Sequence, residues 1–224
     1  DLFFPKERKG ALLANVALIG ITALFATLRF DSRLFGYSFN YTFVQDGVSV
    51  FFKALFLLAG FISIFMAREY QHKLTRGHGE FILLILFSMI GMMFLASAND
   101  FLLFFVSLEI LSISVYIMTA YLRDNDGSIE AGMKYVIMGA LSTAVFLFGL
   151  SFIYGTTGST SYSKIVETLE AMPQVPVGFM FGMILVLCAL LFKIAAVPFQ
   201  LWAPDVYQGA PAPVTGFLAI ASKT

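Results

Sequence analysis

The sequence predicts an all-α protein, a polytopic transmembrane helical bundle with one broken, discontinuous helix. Three observations predict it. Hydrophobic residues make up 59% of the chain against 12% charged; apolar runs of about 20 residues recur along it; and one run carries a lysine followed five residues later by a proline, "FKIAAVPF" at 192–199. Such a composition lies outside the range of ordinary soluble domains. Lipid offers no partner to backbone N–H and C=O groups, so the spans must be helices or a closed barrel, and these runs are too long and too continuously apolar for barrel strands.

The runs cover 11–28, 47–67, 81–98, 101–122, 129–154 and 177–197, and another starts at 213. Between the third and fourth, "SAND" at 97–100 turns the chain, with Asn99 or Asp100 as N-cap, so those helices are antiparallel neighbours. Ser128 precedes the fifth in the same way. Residues 155–176 form the one substantial polar loop, with a short surface helix over 162–171. If the ends alternate sides, Lys6, Arg8, Lys9, Arg68, Lys73, Arg76 and Arg123 share one face and Arg29, Arg33 and Lys164 the other. That bias puts the first face in the cytoplasm or its organellar equivalent. The chain has no initiator Met and stops at "AIASKT" just after a helix begins, so it reads as a piece of a longer protein.

Several function classes drop out. The 14 basic residues equal the 14 acidic ones in number, and no block of like charge suggests nucleic acid. The single cysteine, Cys188, has no thiol partner and reads as a small packed residue. His72 and His78 lie in a polar connection and read as solvated. No phosphate loop, metal-ligand spacing or nucleophile-and-base pattern points to bond-making chemistry.

The chemistry lies in charges where lipid should exclude them: Glu109, Lys193, Lys223 and, less deeply, Lys134. A charge at a helix centre costs about 2.5–3.5 kcal/mol on insertion scales. Glu109 follows Phe101 by eight residues, about 12 Å along a helix and close to the midplane. Ser112 and Tyr116 recur on its face and could hydrogen-bond it or hold water. Lys223 follows Pro213, a natural first helical residue, and is about 15 Å deep. Lys134 lies four residues after Glu130, the favourable order for an interfacial ion pair, and Lys53 reads as a snorkelling lysine. Pro198 has no N–H for the carbonyl of Ile194, and its ring clashes there, so the helix bends or breaks after Lys193 beside a buried ammonium. Broken helices of this kind mark ion sites in transporters. Trp202 and Tyr207 then suit an interface, while Asp205 is wet or paired. At about 6 Å and an effective dielectric near 20, a carboxylate attracts a lysine by roughly 2.8 kcal/mol, enough to decide whether that lysine holds its proton. The pattern is a proton relay that needs no cofactor.

"FKIAAVPFQLWAPDVYQGAPAPVTGFLAIASK", with "FLLFFVSLEILSISVYIM" and "EAGMKYVIMGALSTAVFLFG" before it and the looser "VQDGVSVFFK" at 44–53, resembles the antiporter-like membrane subunits of respiratory complex I. "PDVYQGAPAPV" and "SK" fit subunit N (subunit 2 in organelles) better than its paralogues or the Mrp cation/proton antiporters. The resemblance implies an antiporter-like fold with about half of its helices here: N-terminal helices over 1–80, a first repeat over 81–224 cut in its last helix, and an inverted second repeat outside this chain. It implies a proton relay of Glu109, Lys134, Lys193 and Lys223, with Gln200 where many relatives have a histidine. It further implies NADH, FMN, iron–sulfur clusters and quinone elsewhere in the complex, paralogous and small membrane subunits as partners, and a bacterial cell membrane or organellar inner membrane as the location. An Mrp-type antiporter or membrane hydrogenase subunit would use the same charges. A retinal-binding protein would use Lys193 as Schiff-base lysine and Glu109 as counter-ion, leaving the Pro-rich segment unexplained; a structural scaffold would use none of them.

Overall fold

The computed structural model describes residues 9–31, 35–70 and 77–220. Lys223, His72 and the counted basic residues Lys6, Arg8, Arg33, Lys73 and Arg76 lie outside these, as do the side chains of Lys9 and Arg29. Among the described residues, five helices are long and apolar enough to cross a membrane: α1 (Lys9–Asp31), α2 (Gly47–Tyr70), α3 (His78–Leu95), α4 (Phe101–Thr119) and α5 (Asp126–Thr157). They are followed by α6 (Tyr162–Glu170), α7 (Val177–Lys193), α8 (Ala203–Gly209) and α9 (Ala212–Ile220). A short antiparallel hairpin, β1 (Gly36–Ser38) and β2 (Phe43–Gln45), joins α1 to α2.

Hydrogen-bonding chemistry sets the helix ends. Asp100 is the N-cap of α4, its Oδ1 accepting from the Leu102 amide at 2.7 Å. At α5 the cap is Asn125, whose Oδ1 accepts from Gly127 N at 2.9 Å. Ser128 is already inside that helix and donates across to the Thr119 carbonyl at 2.7 Å, which corrects its reading as the residue before the helix. His78 begins α3 instead of lying in the connection. Between α3 and α4 the approach is close enough that a Cβ on Gly91 would lie 2.7 Å from Leu111 N and 2.8 Å from Ser107 O. The four-residue turn before α4 predicts that packing.

The hairpin was not legible as strands, because a three-residue pair carries little pattern. It ties the connections together at one end of the bundle. Val44 N donates to Ser97 O and Asn99 N to Thr42 O, both at 2.8 Å, and Phe101 N donates to Thr160 O at 3.0 Å. Thr160 Oγ1 donates to Asp100 Oδ2 at 2.8 Å. The α1–α2, α3–α4 and α5–α6 connections therefore share one end, as the alternation of charges assumed. Lys53 reaches into this end too: it is buried, donates to Gln45 Oε1 and lies 4.8 Å over the Phe43 ring, so it snorkels into protein instead of headgroups. Burial, then the nearby Asp100, pushes the Tyr162 hydroxyl up to about 12, so it stays neutral beside that carboxylate.

Two apolar clusters form. The larger joins α2, α3 and α4 to α8 and α9 through residues such as Phe56, Ile85, Met118, Val206 and Phe217; the smaller joins α5, α6 and α7 through Phe146, Ile153, Ile165 and Val186. Glu109 of α4 and Lys193 of α7 sit where these two clusters meet.

Candidate ion-relay site

The sixth apolar run stops short of its expected end. Helix α7 is 17 residues long and terminates at Lys193, not near 197. Ala195 takes a left-handed φ of 54°, Ala196 N donates to Leu191 O at 2.9 Å, and Ala195 N donates to Phe192 O at 3.0 Å. This is a Schellman cap with alanine where glycine is usual. Helix α7 thus ends after Lys193, the place the sequence indicates, through a cap at Ala195, and Pro198, assigned as the cause, lies in the connection beyond it. Trp202 Nε1 adds a further hydrogen bond to Phe192 O at 2.9 Å. Trp202 is buried and stacks on Tyr135 with centroids 4.7 Å apart, so it is a clamp on the break and not an interfacial anchor.

After the break the chain continues along the same neighbour. A Cβ on Gly149 would lie 2.7 Å from Gly182 O, Ser142 Oγ donates to Ala189 O at 3.0 Å, and Lys134 Nζ meets Asp205 Oδ2 at 2.8 Å. The partners of α7 and then α8 descend α5 in order.

Lys193 ends α7, where the helix dipole favours a cation. Its Nζ donates to Ser112 Oγ at 2.9 Å, Tyr116 Oη at 3.2 Å and Glu109 Oε1 at 3.3 Å. Glu109 is the ninth residue of the 19 in α4, and its Oε1 also accepts from Thr143 Oγ1 of α5 at 2.8 Å. Lys193 and Glu109 side chains are only 16% and 21% exposed. Ser112 donates its own proton to Leu108 O at 2.7 Å, which leaves its lone pairs to the ammonium. The sequence placed Ser112 and Tyr116 on the face of Glu109; in the structure they bind the lysine. Tyr116 reaches it because the facing residue is Gly139, where a Cβ would overlap the phenol oxygen.

Lys134 stands apart. It bonds both Glu130 Oε1 and Asp205 Oδ2 at 2.8 Å, with side chains 47%, 67% and 54% exposed. Asp205 is paired, and Glu109 meets Lys193 and not Lys134. Gln200, in a 3₁₀ turn over Gln200–Trp202, is exposed and outside the cluster. A cavity of about 350 Å³, lined by leucines with Ser112, Tyr135 and Lys193, adjoins the ammonium; at about 30 Å³ each it has room for several waters. Among the described residues no group of three or more His, Cys, Asp or Glu could hold a metal ion. The arrangement can bind, hold and exchange protons between one amine, one carboxylate and three hydroxyls.

A family model described as "NADH:quinone oxidoreductase/Mrp antiporter, TM" matches residues 98–224. The chain is 40% identical to NADH-quinone oxidoreductase subunit N 2 of Rhizobium meliloti (strain 1021) over 97% of its own length and 45% of the relative's. It is also 40% identical to subunit N of Trichlorobacter lovleyi over 100% and 46%. A chain of respiratory complex I from Thermus thermophilus, solved with bound aureothin, superposes with a TM-score of 0.80 at 32% identity, covering 96% of this chain and 46% of that one. The chain thus spans about half the length of the curated relatives it matches.

Proposed function

The chain belongs to the NADH:quinone oxidoreductase/Mrp antiporter family of multi-pass membrane subunits, and from that premise we propose that it is a proton-translocating part, subunit N-like, of an NADH:quinone oxidoreductase. The observation that carries the reading is one ammonium, Lys193, held at the end of an interrupted helix by a single carboxylate and two hydroxyls beside a hydratable cavity.

In this reading α7 and α8 are the two halves of one discontinuous span, and residues 81–224 are the first repeat after N-terminal helices over 1–80. Charge displacement in a neighbouring membrane subunit changes the pairing of Glu109 with Lys193. Released from the carboxylate, Lys193 takes a proton from the cytoplasmic side, with the adjoining cavity as room for water, and Lys223 passes the proton on toward the second repeat. Lys134, tied to Glu130 and Asp205, joins the relay only after leaving them. NADH, FMN, iron–sulfur clusters and quinone belong to other subunits, and the membrane is a bacterial cell membrane or an organellar inner membrane.

The test is the ratio of proton uptake to NADH oxidation in vesicles carrying the full-length subunit with Lys193→Ala in the assembled complex. The expected result is collapse of pumping, or of the electron transfer coupled to it. Wild-type values of both would reject the relay. The family description also covers Mrp antiporters, and proton movement that requires sodium would favour that reading.

A further inference from the structure

Hydroxyl groups in these helices mostly bond their own backbone. Ser63, Ser107, Ser112, Ser114 and Thr119 each donate to the carbonyl four residues earlier, the usual use of such side chains inside a helix. Thr143 does not. Its proton goes across the helix interface to Glu109 Oε1 at 2.8 Å, while Ser142 beside it fixes α5 to the Ala189 carbonyl of α7 at 3.0 Å.

Lys193 reaches the same Glu109 oxygen, but from 3.3 Å. An ammonium–carboxylate hydrogen bond normally measures about 2.7–2.9 Å, so the lysine contact is the long one and the threonine contact the short one. Lys193 in turn lies nearer to Ser112 and Tyr116 than to the carboxylate. Each ion therefore has a neutral hydroxyl partner at shorter range than its counter-ion. When the pair opens, both keep a hydrogen bond, and the penalty of an unpaired buried charge is reduced on each side.

We propose that Thr143 is a positioning residue of the relay: its hydroxyl holds the Glu109 carboxylate in place while Lys193 leaves and returns, making the ion pair one that opens instead of one that locks. The proposal rests on the relay reading above. It gives Thr143 a task that depends on its O–H and not on its volume.

The two side-chain properties separate by substitution. Thr143→Val keeps the shape and removes the donor; Thr143→Ser keeps the donor and removes a methyl group. In vesicles carrying the assembled complex with the full-length subunit, the expected result is a drop of about tenfold in coupled proton uptake for Thr143→Val, the scale of losing a hydrogen bond to a charged group, and at least half of wild-type uptake for Thr143→Ser. The reverse order, valine active and serine impaired, assigns Thr143 to packing and overturns the proposal, as do wild-type rates for both. If the valine variant fails to assemble, Thr143→Ala replaces it against the same serine control. A second reading uses Glu109→Gln as background: adding Thr143→Val there should cost less than twofold, because the hydroxyl acts through the carboxylate, and an undiminished loss overturns the proposal. Wild-type uptake by Lys193→Ala and Glu109→Gln themselves defeats the relay, not the role of Thr143 within it.

Discussion

Two ion clusters of similar composition behave oppositely in this bundle. At the rim of α5, Lys134 is gripped at 2.8 Å by two carboxylates with roughly half of every side chain open to solvent. In the interior, Lys193 and Glu109 share one 3.3 Å contact with little exposure, and hydroxyls surround both. The better geometry stands where water weakens it, and the looser geometry where low dielectric strengthens every charge. The rim cluster links α5 to α8, and in the relay proposed above it is the interior cluster, with its longer contact, that exchanges protons.

Glu109→Gln should break this contrast most deeply. The lysine then has only neutral partners, and removing one member of a buried pair costs about 3–5 kcal/mol when burial is complete; with the exposure seen here about half of that is expected. Coupled proton uptake should fall at least tenfold. Full stoichiometry from that variant would show that the carboxylate's charge is idle. Gly139→Ala comes next: the new methyl displaces the Tyr116 phenol from its seat over Lys193, with an overpacking cost of about 1–3 kcal/mol. A lowered melting temperature and reduced uptake are expected, whereas an unchanged melting temperature would mean that the phenol has room elsewhere.

Asp205→Asn tests the rim. It leaves Glu130 to hold Lys134, so uptake in the assembled complex should change by less than twofold, as expected for exposed pairs. A loss as deep as that of Glu109→Gln would erase the distinction between the clusters. The smallest effect belongs to Ala195→Gly, which reaches neither cluster. Glycine relieves the left-handed φ at the cap and should raise stability by about 0.5–1 kcal/mol; a fall in melting temperature would contradict the cap.

The sequence announced what depends on composition and depth: the helices, the short turn before α4, and Glu109, Lys193, Ser112 and Tyr116 as buried polar groups on neighbouring positions. It did not announce which polar group meets which. Helical spacing puts Ser112 and Tyr116 with Glu109 on α4, but only the arrival of the end of α7 decides that they bind lysine. Thr143 is invisible by the same logic, being one hydroxyl in an apolar run, although the pair Ser142–Thr143 is unusual enough in mid-run to draw attention. The helix end after Lys193 was legible in the sequence, but its cause was read as Pro198 because proline is the strongest local signal, whereas Ala195, which takes the left-handed turn, carries no hint of it. Trp202 looked interfacial because an amphipathic ring suits a headgroup; its actual partner is the Phe192 carbonyl in the last turn of α7, which also accepts from Ala195 N. Lys223 lies outside the described residues, so its place in the relay rests on the family resemblance.

The hydrogen bonds among the hairpin, residues 97–101 and residues 160–161 have a consequence for force. Helix ends that share backbone bonds cannot slide past one another there without breaking several at once, so they carry load as one plate. A push delivered to the hairpin is distributed to the ends of α2, α3 and α4 together, and the helices can only tilt as levers from that plate. Lever travel grows with distance from the pivot, and Glu109 lies eight residues, about 12 Å, along α4 from it. A contact of 3.3 Å at that distance is opened by a rotation of only a few degrees.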